Sequence, residues 1–394
     1  MERLAAEYLY TLDRPGPVRN GFIEYDSDGT VTATGECDPS KEKVFFKGAL
    51  VPGFVNSHCH VELSYMWKLF RKGTGMAGFI DQINALRDTK PLEEKVDDIR
   101  HWMDLMWRRG VSAMADISNC DDSFAVKKDS PMYTRTFLEV FGTEPEDCAS
   151  VMEGVLKLKA KADVLGLDST PTPHACYTMS PELVTAVSRE GLKIGFLSFH
   201  SEETQEEEEM IRCGSGPMWE NRKAAGMSVP PVTGQSSLMY FLDRLKEAHP
   251  APYDENVLLV HEVCMDQEGI DAVKNVMNHP FIALCPCSNI FIHNALPPVE
   301  LMRANGLKLT VGTDSLSSND DLDMVRELYC LQSHFNGLEL DELLRWACLN
   351  GAEFLGKEKE LGSFAIGKKP GIVLLENLAP DGSLTEESIS RRIV

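Results

Sequence analysis

Short apolar runs alternate with longer amphipathic segments along most of the chain. The apolar runs, several of them rich in β-branched residues, lie at 51–57, 111–118, 134–141, 164–170, 193–199, 256–260, 281–285 and 307–313. Continuous apolar runs of this length, without an alternating polar face, are typical of strands that are buried on both sides. They therefore predict the strands of an interior sheet.

The segments between these runs carry helical patterns. Segment 91–109 opens with Pro91 and two Glu residues, carries an apolar stripe and ends at Gly110, as helices commonly do. Similar segments lie at 180–190, 236–248, 266–278, 297–305 and 321–333. Strands that alternate with helices predict βαβ units and a parallel sheet, so we assign the chain to the α/β class.

The number of strands narrows the fold. Eight of them fit between residues 50 and 320, and this number favours a (β/α)8 TIM barrel over an open, doubly wound sheet. No Gly-rich dinucleotide or phosphate loop follows any of these strands, which also argues against the open sheet.

The two ends of the chain have a different pattern. Short alternating strands with turn signals occupy residues 1–48, and a further strand is predicted at 372–375, after a Gly- and Lys-rich turn. Such patterns are typical of β-hairpins. We therefore predict a small β-sandwich domain built from residues 1–49 and 364–394, beside a barrel domain of residues 50–363.

Charge and composition argue against several classes of protein. The chain of 394 residues has 39 Lys and Arg against 61 Asp and Glu, a formal net charge of −22. This acidic balance disfavours binding to nucleic acid polymers or to an anionic membrane, since both require clustered cations. No apolar run is long enough to cross a membrane, and no signal-peptide pattern follows Met1. With 11 scattered Cys, we expect reduced thiols and a cytoplasmic location.

Four His and one Asp lie at or just beyond the carboxyl ends of predicted strands. His58 and His60 follow the first strand, and His200, His261 and Asp314 follow three later ones. Residues i and i+2 of an extended segment point the same way, so both imidazoles of the first pair can reach one centre. In a barrel, all these strand ends lie on the face where active sites are built.

The residue types indicate a metal-assisted hydrolysis. Imidazole nitrogen and carboxylate oxygen suit Zn²⁺, and also Fe²⁺ or Mn²⁺. Glu203 lies three residues after His200 and is a candidate for moving protons, a role worth 10²–10⁴-fold in rate. Spacing alone does not distinguish it from its neighbours Glu202 and 206–209, and the tract 206–209 is predicted to be the exposed start of a helix.

A set of short motifs carries a family resemblance. They are 52–60 (PGFVNSHCH), 173–175 (PHA), 177–178 (YT), 180–181 (SP), 200–203 (HSEE), His261, 285–289 (CPCSN), 312–314 (GTD), 362–363 (GS) and 367–369 (GKK). Together they span nearly the whole chain, which resembles the amidohydrolase superfamily, in its mononuclear-metal deaminase and chlorohydrolase branch.

The resemblance implies roles for individual residues. It makes His58, His60, His200 and Asp314 the ligands of one divalent metal ion, Zn²⁺ with Fe²⁺ as the alternative. Glu203 becomes the proton shuttle, and Asp314 doubles as an acceptor of the water proton. His261 holds the attacking hydroxide or polarises the reacting ring. The fourth-strand stretch 164–175 has no Lys, unlike the family's dinuclear members, and this favours a single metal.

The function implied by the resemblance is hydrolytic deamination of an aminated purine or pyrimidine. Metal-bound hydroxide attacks the ring carbon and ammonia is released, with an adenosine-type nucleoside derivative favoured as substrate. One alternative is a chlorohydrolase or amidase that uses the same hydroxide. An alternative of another class is a non-catalytic, metal-binding scaffold on the same barrel. A small molecule is the expected partner, and homodimers are common in this branch.

Several residues are candidates for contacting the substrate. The resemblance places His174 there. Trp67, Phe70 and Met76 follow the first strand and either form an apolar wall for a flat ring or pack within the fold. The segment 317–319, including Ser318, follows Asp314 and either meets polar groups of the substrate or plays no such part. Cys285 and Cys287 are interpreted as structural.

Overall fold

The computed structural model of the chain describes residues 1–87 and 89–394. The strands are β1 Glu2–Leu9, β2 Val18–Tyr25, β3 Val31–Glu36, β4 Phe45–Pro52, β5 Phe54–Cys59, β6 Val111–Ser118, β7 Tyr133–Val140, β8 Asp168–Pro173, β9 Phe196–Ser201, β10 Asn256–His261, β11 Pro280–Leu284, β12 Lys308–Val311, β13 Ile372–Glu376 and β14 Ile389–Arg392.

The helices fill the intervals between the strands. They are α1 Gly75–Leu86, α2 Leu92–Arg108, α3 Phe124–Asp129, α4 Cys148–Leu165, α5 Pro181–Ile194, α6 Gln205–Cys213, α7 Pro217–Ala224, α8 Ser237–Ala248, α9 Gln267–Val276, α10 Pro286–His293, α11 Val299–Ala304, α12 Met324–His334, α13 Leu340–Leu344 and α14 Gly351–Phe354. Short helical turns cover Pro39–Lys41, Val61–Met66, Pro145–Asp147, Cys176–Thr178 and Arg345–Asn350.

The strands β5 to β12 form two parallel, four-stranded sheets. Their orders are β5-β6-β7-β8 and β9-β10-β11-β12. The predicted α/β class and parallel pairing are therefore confirmed. The strand predicted at 111–118 has those bounds, whereas the one predicted at 193–199 begins later, at Phe196. The strand begins later because α5 continues to Ile194. Gly195 then caps the helix in the left-handed region, at φ 97°, a conformation that favours glycine.

Side chains and single backbone bonds connect the two parallel sheets. Strand β8 contains two prolines, Pro171 and Pro173, which cannot donate to a sheet ladder. In their place, the Thr172 hydroxyl accepts from the Ser198 backbone N–H at 2.9 Å and donates to the Ser198 carbonyl at 2.5 Å.

At the opposite edges, β12 meets β5. The backbone N–H groups of Thr313 and Asp314 both donate to the His58 carbonyl at 3.0 Å. A parallel bridge pairs Cys59 with Asp314. Added to Gly312, a Cβ atom would lie 2.7 Å from that of His58, so the absence of a side chain lets the two strand ends approach. His58 and Asp314 are thereby held side by side.

The two ends of the chain meet in one sheet. Its six strands have the order β14-β13-β4-β1-β2-β3 and mix strands from both termini. In β4, Leu50 faces a cluster within this sheet, whereas Ala49 and Val51 face the main core. Both faces of the sheet therefore carry buried apolar side chains. The strand pairing shows one hydrogen-bonded sheet among the described residues, and its packing as a β-sandwich stays a prediction.

None of the described helices has both the length and the apolar character needed to cross a lipid bilayer.

Candidate functional site

Three imidazoles converge where β5 and β9 end. His58 and His60 lie at the end of β5, and His200 lies near the end of β9. The Nε2 atom of His58 is 3.2 Å from that of His60 and 3.1 Å from that of His200. All three side chains are buried. The alternation of side chains along β5 brings the first two together, and the parallel strand ends bring the third.

These three nitrogens fit a metal ion. Burial is the main cause that lowers the pKa of His58 and His200 well below the usual value and lowers that of His60 as well, so the imidazoles are neutral and can act as ligands. Tetrahedral ligands about 2.05 Å from one ion lie about 3.3 Å apart, close to the separations observed here. The donor set therefore fits one divalent ion of the Zn²⁺ type.

Asp314 adds a carboxylate to the same cluster. Its Oδ1 atom is 3.5 Å from His60 Nε2 and 3.8 Å from His58 Nε2. Burial opposes its ionisation, but the three imidazoles of His60, His58 and His261 outweigh burial and lower its pKa to about 2. Asp314 also has a φ of +56°, and a left-handed non-glycine residue is typical of sites where backbone strain is retained for function.

Ser318 supports Asp314 and does not line the cavity. Its hydroxyl donates to Asp314 Oδ2 at 3.0 Å, and the Ser288 hydroxyl donates to the same oxygen at 2.6 Å. Both serines are fully buried, whereas Ser315 and Ser317 line the cavity above them. The structure therefore places the Ser318 hydroxyl behind the Asp314 carboxylate and away from the cavity wall, where the sequence predicts a contact with the substrate.

Glu203 and His261 face each other across the site. Glu203 lies between β9 and α6, and its Oε1 atom is 3.5 Å from Nε2 of His261, at the end of β10. Burial, with the charges of Asp314 and Glu207 adding to it, raises the pKa of Glu203 well above its usual value. Burial lowers the pKa of His261 to about 4. Burial thus favours the uncharged form of both side chains.

One cavity of about 180 Å³ opens onto these groups. Its lining includes His60, Met76, Arg87, Asn119, Glu139, His174, His200, Glu203, His261 and Asp314. His174 lies at this wall, and its Nδ1 atom is 2.8 Å from the Thr178 hydroxyl. The structure therefore brings His174 to the same cavity as five other residues singled out in the sequence, namely His60, His200, Glu203, His261 and Asp314.

Trp67 lies elsewhere. Its indole N–H donates to the Asp320 carbonyl at 2.8 Å, its ring centroid is 5.2 Å from that of Trp102, and 40% of its surface is exposed. It does not line the cavity. Of the three apolar residues predicted after the first strand, Met76 lines the cavity, while Phe70 packs against a neighbouring apolar cluster. Of the two alternatives for Trp67, its contacts in the structure are those of packing within the fold.

The sequence analysis missed Glu139, Asn119 and Arg87. Glu139 accepts from the Asn119 amide at 3.1 Å, and its other oxygen is 3.4 Å from His200 Nδ1. Burial raises the pKa of Glu139 to about 8. It lies at the end of predicted strand 134–141, so the strand-end argument applied to the histidines would have found it. Arg87 directly follows α1, in a stretch that carries no motif, and nothing in the sequence marks it.

The acidic tract is also different from the prediction. A helix begins there, as predicted, but Glu207 is fully buried and Glu208 is 7% exposed. Their carboxylates accept hydrogen bonds from backbone N–H groups of neighbouring loops. From sequence alone, an acidic run predicts a solvated helix face. The backbone N–H groups that bind Glu207 and Glu208 could not be recognised, because they are distant in sequence or lie in the turn before the helix.

Comparison with known proteins agrees with this geometry. A model of the amidohydrolase family matches residues 49–389. The chain belongs to the amidohydrolase family. A 5-methylthioadenosine/S-adenosylhomocysteine deaminase of Moorella thermoacetica is 26% identical to this amidohydrolase over 372 residues, 84% of this chain and 74% of the relative.

Two further proteins are similar to this chain, one over a shorter stretch of sequence and one in its fold. A 5'-deoxyadenosine deaminase of Methanobrevibacter smithii is 32% identical over 145 residues, which are 34% of this amidohydrolase and 33% of that protein. The crystal structure of the Helicobacter pylori aminofutalosine deaminase with methylthio-coformycin matches with a TM-score of 0.80 and 21% identity, covering 98% of this chain and 94% of that one. The latter match establishes similarity of fold.

Two overlapping donor groups make metal binding testable. His200 belongs both to the cluster with His58 and His60 and to a group with Glu139 and His174. We expect one divalent ion per chain, and we expect His200→Ala to weaken its binding by more than about 100-fold, the upper end of what loss of an outer partner costs. Elemental analysis and competition with a chelating dye measure both quantities.

His174→Ala is the matched control for this variant. It removes a half-buried imidazole from the same cavity but leaves the His58, His60 and His200 nitrogens in place, so we expect it to retain one ion. Equal loss of metal from both variants would instead place the ion between Glu139 and His174.

Proposed function

We propose that this amidohydrolase is a metal-dependent hydrolytic deaminase that acts on an aminated purine, most favourably in an adenosine-type nucleoside. The observation that carries the proposal is a single cavity that joins a His58, His60, His200 and Asp314 donor set to a buried acid, Glu203. Hydrolysis of an aromatic amine needs a nucleophile and a proton donor at the same carbon. The names of the relatives support a nucleoside as substrate.

We further infer that β5 to β12 close into a (β/α)8 barrel, with residues 50–363 as one domain and 1–49 with 364–394 as the other. Closure is supported by the bonds at both sheet edges, between Thr172 and Ser198 and between His58 and Thr313. In such a barrel all five candidate residues stand on the carboxyl-end face, where active sites are found.

His58, His60, His200 and Asp314 would hold the divalent ion in this proposal. When bound, the ion would lower the pKa of a water molecule from about 15.7 to about 7. The protein must then orient that water, accept its proton and supply protons to the ring and the leaving amine. Asp314, whose pKa is about 2, remains ionised at neutral pH and can accept a proton from the water.

Glu203 supplies protons to the substrate. As a buried acid with a raised pKa, it protonates the ring nitrogen beside the carbon that bears the amine, which compensates for the loss of aromaticity as the water oxygen adds. It then passes the second water proton to the amine, which leaves as ammonia. The proton that Asp314 accepts from the water returns to Glu203, which restores both carboxyl groups to their starting forms. In the net reaction one water proton replaces the proton given to the ring nitrogen and the other leaves on ammonia.

His261 orients the oxygen nucleophile. The Asn289 amide nitrogen lies 3.2 Å from Nδ1 of His261 and donates to it, so Nε2 carries the ring proton. That Nε2 has no hydrogen-bond partner among the described residues, although it is fully buried. It can therefore donate to the oxygen that attacks the ring or to the ring itself. Either contact strengthens as negative charge develops.

Replacement of Glu203 tests this assignment. We expect Glu203→Gln to retain one metal ion per chain and to lower kcat for ammonia release by about 10³-fold, within the range for a positioned acid and base. A coupled ammonia assay with adenosine and its 5'-derivatives measures the rate. Glu209→Gln, on the exposed face of α6, is the control with the same charge change.

Three outcomes would count against the proposal. Unchanged turnover by Glu203→Gln would remove Glu203 from the proton path. Release of chloride from a chlorinated triazine, without ammonia from any nucleoside, would favour the chlorohydrolase alternative. Bound metal with no hydrolysis of any amine, amide or chloride would favour a scaffold.

A second chamber adjoins the catalytic cavity and favours a substituted nucleoside. Five residues line both spaces: Ile80, Asn84, Phe141, Tyr177 and Thr178. The chamber, about 380 Å³, is otherwise walled largely by apolar groups of α1, α6 and α7 and of the turn that follows, namely Ala77, Met210, Met218, Ala225 and Met227. A flexible, sulfur-rich wall of this kind suits an apolar substituent, such as a 5'-alkylthio group on the ribose.

Filling the chamber tests this part of the proposal. We expect Ala225→Phe to raise KM for 5'-methylthioadenosine about tenfold, the size of effect that one or two methylenes have in a pocket, and to leave adenosine kinetics unchanged. Ala224→Phe is the control, since Ala224 is exposed on the same helix and does not line the chamber. Equal effects on both substrates, or none on either, would contradict a substituent in this chamber.

A further inference from the structure

Glu207 is a buried carboxylate with an unusual set of partners. Its Oε2 atom accepts from the Glu203 backbone N–H at 2.8 Å, and its Oε1 atom accepts from that of Glu202 at 3.3 Å. The Ser237 hydroxyl, at the start of α8, donates to Oε1 as well. Glu207 is fully buried, so these partners replace the water that would otherwise solvate its carboxyl group.

Glu207 is the third residue of α6, and its carboxyl group does not bind where a Glu at this position usually does. Thr204 is the N-cap of this helix, and its hydroxyl accepts from the Glu207 N–H at 3.2 Å, which is half of a capping box. In the other half, the third-position Glu usually returns to the N–H of the cap residue itself. Here the carboxylate reaches beyond the cap to the two residues before it. The contact therefore fixes the turn that carries Glu203 and is not needed to cap the helix.

That turn requires support. Glu202 has a φ of +49°, and the left-handed region is unfavourable for a non-glycine residue. The turn must nevertheless aim the Glu203 carboxyl group at the cavity, 3.5 Å from His261 Nε2. A backbone that is strained and close to the chemistry persists when its surroundings over-determine it. Glu207 supplies two of the hydrogen bonds that do so.

We propose that Glu207 is a positioning residue, which holds the backbone of Glu202 and Glu203 so that the Glu203 carboxyl group faces the reacting carbon. This inference rests on the proposed deaminase function, because it assigns Glu203 the proton transfers. Glu207 itself contacts no reacting atom, since it does not line the catalytic cavity.

Two replacements of different severity test this role. Glu207→Leu removes both acceptors and keeps the approximate size. We expect it to lower kcat about 100-fold, as misplacement of a catalytic group by about 1 Å can, with KM changed less than about threefold and one metal ion retained. Glu207→Gln keeps one acceptor, so we expect a loss of about tenfold. This isosteric variant also provides the test if the Leu variant fails to fold.

Glu208→Gln is the matched control. Glu208 lies on the same helix and accepts from the Ser237 N–H at 2.8 Å, but it makes no hydrogen bond to the turn of Glu203. We expect its kcat to be that of the wild type. An equal loss in this variant would show a general effect of helix α6 and would overturn the proposal.

A double-mutant cycle separates positioning from general destabilisation. If Glu207 acts through Glu203, its replacement has little further effect once Glu203 is Gln, so the Glu203→Gln, Glu207→Gln double variant should have the kcat of Glu203→Gln alone. Full additivity of the two losses would overturn the proposal. If the wild type releases ammonia, an unchanged kcat in both single variants, Glu207→Gln and Glu207→Leu, would also overturn the proposal.

A crystal structure of Glu207→Gln gives a readout that does not depend on turnover. We expect the distance from Glu203 Oε1 to His261 Nε2 to lengthen beyond the 3.5 Å found here. An unchanged turn and carboxyl position would contradict the positioning role even if the wild type released no ammonia from any nucleoside. Failure of the wild type to release ammonia would by itself count only against the proposed function.

Discussion

The Nε2 atom of His58 lies 3.2 Å from that of His60 and 3.1 Å from that of His200, in a buried site. Neutral nitrogens this close cannot all be satisfied by donating to one another, because each ring has one N–H to give. A cation of the Zn²⁺ type resolves this conflict by accepting all three lone pairs at once. The arrangement of strand ends, the approach of Gly312 to His58 and the strain at Asp314 all follow from the need to bring these donors together.

The surroundings of this cluster separate two kinds of carboxyl group. Burial opposes ionisation of Asp314, but His60, His58 and His261 and the hydrogen bond from Ser288 outweigh burial and lower its pKa to about 2. For Glu203, burial is the main cause that raises the pKa, and the charges of Asp314 and Glu207 add to it. Two carboxyl groups in one cavity are thus suited to opposite tasks by what they touch. Such a division is typical of sites that combine a base with an acid.

The residues at strand ends could be predicted from sequence, and those that act by distant contact could not. His58, His60, His200, His261 and Asp314 follow apolar runs, and parallel strands bring their ends to one edge whatever the loops do. Trp67 depends on a loop conformation that packs it on Trp102, and no local pattern encodes this. Ser318 lies in the expected place but turns its hydroxyl to Asp314.

Glu207 illustrates a further limit of sequence patterns. Its tract has the composition of a solvated helix start, yet it receives hydrogen bonds from two residues of the preceding turn and from a serine at the start of another helix. The fold class could be predicted because hydrophobic periodicity is a property of the chain itself. Burial of an acidic side chain is decided by which backbone donors the tertiary structure brings near it.

The account as a whole depends on one divalent ion at the converging strand ends, and an anomalous-difference map at the metal's absorption edge tests this most directly. The account predicts a single peak about 2.0–2.3 Å from the Nε2 atoms of His58, His60 and His200, with an oxygen of Asp314 as the next protein atom. A peak held by Glu139 and His174 instead, or a crystal of hydrolytically active protein with no peak at this cluster, would contradict it.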